Sequence, residues 1–153
     1  MAKPDGTKLI AENRRARRDY ELIERVEAGV VLTGTEVKSA RDGLVQLGQA
    51  YADVRDGEAW LVGASISEYA QAGPLGHQPD RDRKLLLHRS QIDSLYGKVR
   101  EKGLTLVPTR LYFKGPRAKV EVALARGKDV GDKRQTIKER EMKREMERAI
   151  RRR

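Results

Sequence analysis

The stretch LTLVPTRLYFKGPRAKVEVALARG, Leu104 to Gly127, decides how the chain folds. Leu104, Leu106, Leu111 and Phe113 precede a Lys114-Gly115-Pro116 turn, and Val120, Val122 and Leu124 follow it. Apolar side chains recurring near every second position on both sides of a turn put one face of each strand on a core. The stretch is therefore read as an antiparallel hairpin. Pro108 has no N–H to give to a ladder, which predicts an edge or a bulge at that point.

Working back from the hairpin, Ser90 and Asp93 fit a capping box, and Ile92, Leu95, Tyr96 and Val99 then fall at helical spacing until Gly103. KLLLH before it is expected to be a short buried run. Residues 70–83, rich in Gly, Pro, Asp and Arg, predict an exposed loop. QAYADVRDGEAWLVGASISEY reads as a second hairpin about Asp56-Gly57, a pair that readily takes the positive φ values of a type I′ turn. TGTEVKSARDG predicts a helix of two turns, with Thr33 or Thr35 as N-cap and Gly43 as its stop. Tyr20 to Leu32 is expected to be one long strand, bent or bulged at Gly29.

Several short antiparallel strands and one sizeable helix set between hairpins predict a mainly β fold. The expected form is a small antiparallel OB-like β-barrel with peripheral short helices and a disordered basic C-terminal tail. An open α+β sandwich uses the same elements, and strand pattern separates the two poorly. A chain of 153 residues has room for one core. Three segments are expected: a flexible lead-in at 1–12, the OB-like barrel at 13–126 and a basic tail at 127–153.

Composition narrows the chemistry. The chain has no cysteine, which removes disulfides and thiolate metal sites. It has no signal-like apolar segment near Met1 and no apolar run approaching ~18 residues, so no membrane association is expected and the cytoplasm is the expected compartment. Net charge is +10, and the segment from Arg126 onward, with 12 Lys plus Arg against 6 Asp plus Glu, holds most of it. Such a field attracts polyanions.

The catalytic inventory is thin. His77 and His88, the only histidines, have no carboxylate at a metal-ligand spacing that joins them; a surface histidine and a capping or partly buried one are expected instead. No Ser, His and Asp set stands in a recognisable elbow. Gly127-Lys128 looks like the end of a phosphate loop, but Asp129 takes the place of the Mg²⁺-binding hydroxyl and the earlier glycine is missing. Glu27, Glu36 and Glu121 would make a metal-dependent nuclease site if they converged. Hydrogen bonds to RNA or to neighbouring arginines are the plainer use of these carboxylates. No enzyme activity, cofactor or metal is expected.

The basic segments carry more. Asn13, Arg14, Arg15, Arg17 and Arg18 lie just before the first expected strand, where guanidiniums and an amide would meet phosphates at one rim of the barrel. Lys38 and Arg41 are three apart on one helical face and, with Arg81, Arg83 and Lys84, offer a second cationic patch for reading a folded RNA by shape. A single-strand binder stacking bases would need exposed aromatics, and at 5% of the chain they are too few to favour it.

NRRARRDY with EAG, GTEVKS with Arg41, RKLLLH, SLYGKV, VALARGK and finally DKR with IKERE, in that order, closely resemble the SmpB family, the bacterial partner of transfer-messenger RNA. The resemblance runs from about Asn13 to the C-terminus. It implies an OB-type barrel that binds the tRNA-like domain of that RNA in place of the missing anticodon arm. It also implies a tail that enters the vacant mRNA channel of a stalled 70S ribosome near the decoding centre, starting trans-translation, and a free protein that is monomeric. By resemblance Asn13, Arg15, Glu27, Lys38 and Arg41 map near the RNA-facing surface, and Asp132, Lys133 and Arg134 to the start of the functional tail. The chain departs from the pattern at Arg18, a place often held by histidine, and at Gly131, where some relatives carry an aromatic or a histidine.

The tail itself has no continuous apolar stripe. On a helical projection Met142, Met146, Ala149 and Ile150 cluster on one side, while Val130 and Ile137 point nearly the other way. Lys133, Arg140, Arg144, Arg148 and Arg151 form a row of cations. Glu139 with Lys143 and Glu147 with Arg151 are favourable pairs worth only ~0.2–0.5 kcal/mol each. The tail is therefore expected to be disordered when free and helical on the ribosome, with Lys128, Asp132, Lys133, Arg134, Lys138, Arg140, Arg144 and Arg148 as its contacts.

Overall fold

The computed structural model describes residues 7–128 and 140–149. The hairpin expected over Leu104 to Gly127 is present as β8 (Thr105–Lys114) and β9 (Arg117–Gly127), paired from Thr105↔Ala125 to Lys114↔Arg117. Its register shifts between Pro108 and Arg110. The proline thus marks a bulge and not an edge, since β8 has neighbours on both sides.

The rest of the main sheet is β1 (Thr7–Glu12), β2 (Tyr20–Val30), β4 (Tyr51–Arg55), β5 (Glu58–Val62) and β7 (Arg83–Leu86). Its strands lie in the order β1-β8-β4-β5-β7-β2-β9, with β9 returning to pair with β8. The two-residue strands β3 (Val45–Gln46) and β6 (Ser65–Ile66) pair separately. Among the described residues, helices α1 (Arg14–Asp19), α2 (Gly34–Arg41) and α3 (Arg89–Lys102) accompany them, with a 3₁₀ turn at Ala70–Leu75. The fold is mainly β with short helices. One core cluster joins Val120, Val122 and Leu111 of the hairpin to Leu61, Leu85, Ile66 and Leu95, and a smaller one gathers Ala16, Val107, Ala123 and Ala125.

Local chemistry explains most elements. Thr33 caps α2 in a reciprocal box with Glu36: the hydroxyl accepts from the Glu36 N–H, and the carboxylate accepts from the Thr33 N–H at 2.8 Å. At the β4–β5 turn Asp56 and Gly57 have φ of 52° and 77°, the left-handed pair that matches the strands' twist. Gly103 ends α3 at φ 61°.

Several expectations change. Residues 7–12, expected as flexible lead-in, form β1 against β8, with a register shift between Leu9 and Ala11 that breaks the alternation a sequence pattern relies on. Arg14 to Asp19, expected to run straight into a strand, is a one-and-a-half-turn helix whose only buried residue is Ala16 and which therefore carries no apolar period. β2 ends at Val30, and its bulge lies between Leu22 and Glu24. Gly29 instead permits close approach, since a Cβ there would lie 3.2 Å from that of Leu86. The cap of α3 is His88, whose N–H donates to Gln91 Oε1 at 3.1 Å; Ser90 and Asp93 do not form it. In the expected loop, Arg83 already belongs to β7, and in the expected buried run Leu85 is buried but Leu86 is exposed. Residues 140–149, expected to be disordered, are helical, and all are exposed. Arg, Glu, Met, Lys and Ala, which make up that segment, are the residues that lose least on entering a helix.

Candidate nucleic-acid interface

The predicted RNA-binding residues separate into an open face, a basic end and a buried junction. The open face is built where β7, β2 and β9 run side by side. Glu27, Lys84, Leu86, His88, Arg89 and Lys119 line a cleft of about 700 Å³ there. Leu86 and Lys119 also line an adjoining groove of about 560 Å³, floored by Val31, Val37 and Phe113. Leu86 is 55% exposed, a large apolar side chain left open among cations. Helix α2 supplies Val37 to the groove, and its Arg41 guanidinium stacks 5.8 Å from the Phe113 ring centroid. Lys38 lies 5.3 Å from the Tyr69 ring centroid.

Charges on this face are paired loosely. Lys84 lies 3.2 Å from Glu58 and Lys114 lies 3.8 Å from Glu27, all at least 41% exposed, so a phosphate can replace either carboxylate at little cost. Glu27 also accepts from the Tyr112 hydroxyl. Burial first, then that hydrogen bond, raises the Tyr112 pKa, and the phenol stays a donor that fixes Glu27.

Glu27 and Glu121 are register partners across β2 and β9. Each is occupied, Glu121 by the Thr109 hydroxyl at 2.5 Å and by Arg110 at 3.3 Å. Glu36 does not join them. Among the described residues no group of three or more His, Asp and Glu side chains is arranged to hold a metal ion.

The basic end is α1. Arg14, Arg15, Arg17 and Arg18 are exposed, with Arg15 and Arg18 holding Asp19 at 3.1 and 3.2 Å. The Lys128 N–H donates to the Asp19 carbonyl at 2.9 Å, so the tail leaves the sheet beside this helix. Asn13 was expected to reach phosphate and does not. Its amide is buried and fully used, donating to Pro108 O at 2.8 Å and Leu47 O at 3.1 Å and accepting from the Ala16 N–H. It ties α1 to the β8 bulge.

Arg83, expected in the second cationic patch, is buried. It is 0% exposed and cannot touch a polyanion. Its Nε donates to Glu36 Oε2 at 2.6 Å, Nη1 to Ala64 O at 2.8 Å and Nη2 to Pro79 O at 3.0 Å. Arg81 donates to the other oxygen of Glu36 at 2.5 Å. Burial alone would raise the Glu36 pKa, but the Arg81 hydrogen bond, the Thr33 N–H and the Arg83 charge more than offset it, and the net shift is downward. His77, expected on the surface, is 9% exposed, between Thr35 Oγ1 at 2.9 Å and Ile66 O at 3.0 Å.

Sequence reasoning missed Leu86, Lys119 and Arg89. For Lys119 a signal was present: it alternates with Val120 and Val122 in β9 and so points away from the core. Leu86 had none, because KLLLH gives no period from which to tell an inward leucine from an outward one. The tail expectations at Asp132, Lys133, Arg134 and Lys138 lie outside the described residues. Lys128, Arg140, Arg144 and Arg148 are exposed.

A small basic protein, mainly β, with cations set around an exposed apolar floor is of the class that binds structured nucleic acid. The family model described as "SmpB protein" matches residues 10–152, and the chain belongs to that family. It is 57% identical over 151 residues to the SsrA-binding protein of Thermobifida fusca, covering 99% of this chain and 94% of the relative. It is 53% identical over 148 residues to that of Oleidesulfovibrio alaskensis, covering 97% and 96%. A solved structure described as "tmRNA-SmpB: a journey to the center of the bacterial ribosome" is similar with a TM-score of 0.66 at 49% identity, over 78% of this chain and 85% of that one.

Proposed function

We propose that this chain binds the tRNA-like domain of transfer-messenger RNA and brings it to stalled ribosomes for trans-translation, acting by binding and without catalysis. The observation that carries the reading is the cleft and groove sharing Leu86 and Lys119, with Lys84, Arg89 and the α2 cations about it, in a chain that matches SsrA-binding proteins along nearly its whole length. Exposed, loosely paired cations offer phosphate contacts, and the apolar floor accepts ribose or a base face. α1 and the tail that begins beside it supply the ribosome-facing contacts, with the tail in the empty mRNA channel. The strand pairings run β8-β4-β5-β7-β2-β9 and back to β8, which supports an OB-like barrel closed on itself. We place the protein in the cytoplasm as a monomer. No helix among the described residues is long and apolar enough to cross a membrane.

The test pairs two assays. The chain truncated after Gly127 should bind an RNA of the tRNA-like domain as tightly as the full chain, yet fail to support tagging on ribosomes stalled at the end of a message. Full tagging by the truncated chain rejects the tail assignment. Equal competition by bulk single-stranded RNA rejects the RNA assignment. Cleavage of labelled RNA with Mg²⁺ or Mn²⁺ would favour the nuclease reading.

A further inference from the structure

Glu36 and Arg83 lie on the two elements that carry the interface. Glu36 is in the first turn of α2, two residues before Lys38 and five before Arg41. Arg83 begins β7, directly before Lys84 and three residues before Leu86. Both side chains are 0% exposed and meet at 2.6 Å. From the proposed RNA-binding function, we infer that the buried Glu36–Arg83 pair is a positioning device for RNA recognition, which sets α2 and its cations at a fixed place relative to β7.

The geometry is that of a locator. Both Glu36 oxygens are used: Oε1 by the Thr33 N–H and Arg81, and Oε2 by Arg83. The Arg83 fork ties Glu36 of α2 to two segments that share no strand pairing with that helix, through the Ala64 carbonyl between β5 and β6 and the Pro79 carbonyl. The Pro79 carbonyl also accepts from the Ile66 N–H at 2.9 Å, and Ile66 pairs with Val45, four residues beyond the end of α2. The helix is thereby held at its first turn by the ion pair and beyond its last by β3.

Apolar packing alone would not fix this. α2 is amphipathic only in part, burying Ser39, Ala40 and Glu36 and leaving Val37 in the groove. Ala40 and Ser39 are small and offer little shape to stop the helix sliding or turning about its axis. A planar guanidinium bound to a carboxylate through defined hydrogen bonds permits one orientation. Buried pairs of this kind add little net stability over an apolar replacement, so a gain in orientation is a use the pair can have where stability is not. The loop pair Arg81–Glu36 reinforces it, with Arg81 reaching the same carboxylate from the solvent side.

The test is the double variant Glu36→Leu plus Arg83→Met, which removes both charges and keeps apolar volume. It should unfold cooperatively, with a midpoint lowered somewhat because the Ala64 and Pro79 carbonyls lose their donor, yet while folded bind an RNA of the tRNA-like domain about tenfold or more weakly. Its salt slope should fall by about 0.7–0.9 for each phosphate that α2 no longer neutralises. In the double-variant background Lys38→Ala and Arg41→Ala should cost little further, whereas in the unaltered protein each weakens binding. Arg83→Lys, which keeps the charge but loses the fork, should weaken RNA binding and speed amide exchange within α2. Unaltered RNA affinity and slope in the folded double variant overturn the inference, as does full additivity of the α2 substitutions. A double variant that melts far below the unaltered protein also overturns it, because the pair would then be serving stability. If the unaltered protein fails to bind the RNA at all, it is the functional reading that falls.

Discussion

The Glu36–Arg83 junction and residues 140–149 are made from the same kinds of side chain, acidic and arginine, and the fold treats them in opposite ways. At the junction two charges are sealed from water and each Arg83 nitrogen donates at 2.6 to 3.0 Å. Along 140–149 all ten residues are exposed, including Met142 at 58% and Met146 at 63%. Removing one member of the buried pair strands the other in a medium that cannot solvate it, whereas removing one charge of the tail returns its neighbour to water. Charge counted along a sequence is thus blind to what the charge does. Lys84 and Arg83 are adjacent cations, and only the first is open to a phosphate.

The contrast is broken most forcefully at Arg83. Arg83→Ala leaves Glu36 Oε2 buried without a donor, with Arg81 and the Thr33 N–H serving only the other oxygen, and should cost about 3 kcal/mol, measured by urea unfolding of the full chain. A loss under about 1 kcal/mol would mean that water reaches Glu36 and that the junction is no more buried than the tail. Acid gives a second, smaller separation. The Glu36 pKa is lower in the folded state than unfolded, so its contribution is present above the ordinary carboxylate range and is lost as pH falls through the depressed value. Stability between about pH 4.5 and lower values should therefore fall more steeply for the unaltered protein than for Glu36→Leu plus Arg83→Met. Truncation after Gly127 should leave that profile where it was. The smallest effect belongs to the tail: Lys143→Ala removes the exposed charge spaced i, i+4 from Glu139 and should change helix content by an amount equivalent to a few tenths of a kcal/mol, read by circular dichroism and vanishing in high salt.

What was legible in the sequence was whatever local pattern determines. Asp56-Gly57 had to turn, because those residues tolerate the positive φ that a two-residue hairpin requires. Thr33 or Thr35 had to start a helix, the structure taking Thr33, and Gly103 had to end one. The ordered motifs pointed to the family to which the chain belongs. The candidate site was legible in part: Glu27 and Lys84 do share the cleft, and Lys38 and Arg41 are exposed on α2.

What only the tertiary structure decided was where each polar side chain ended up. Asn13 and Arg83 sit in basic, loop-like stretches that read as surface, and both are buried. Their partners, Pro108 and Leu47 for the first and Glu36, Ala64 and Pro79 for the second, are distant in the chain, from 4 to 95 residues away, and most come close only when the sheet forms. Strand β1 was hidden for a related reason, since its pairing with β8 rests on a bulge that erases the period of two. Turns and caps depend on the conformational preferences of a few neighbouring residues, which a sequence carries in full. Burial of a charge or an amide depends on hydrogen-bond partners brought from elsewhere, and only the folded chain supplies them.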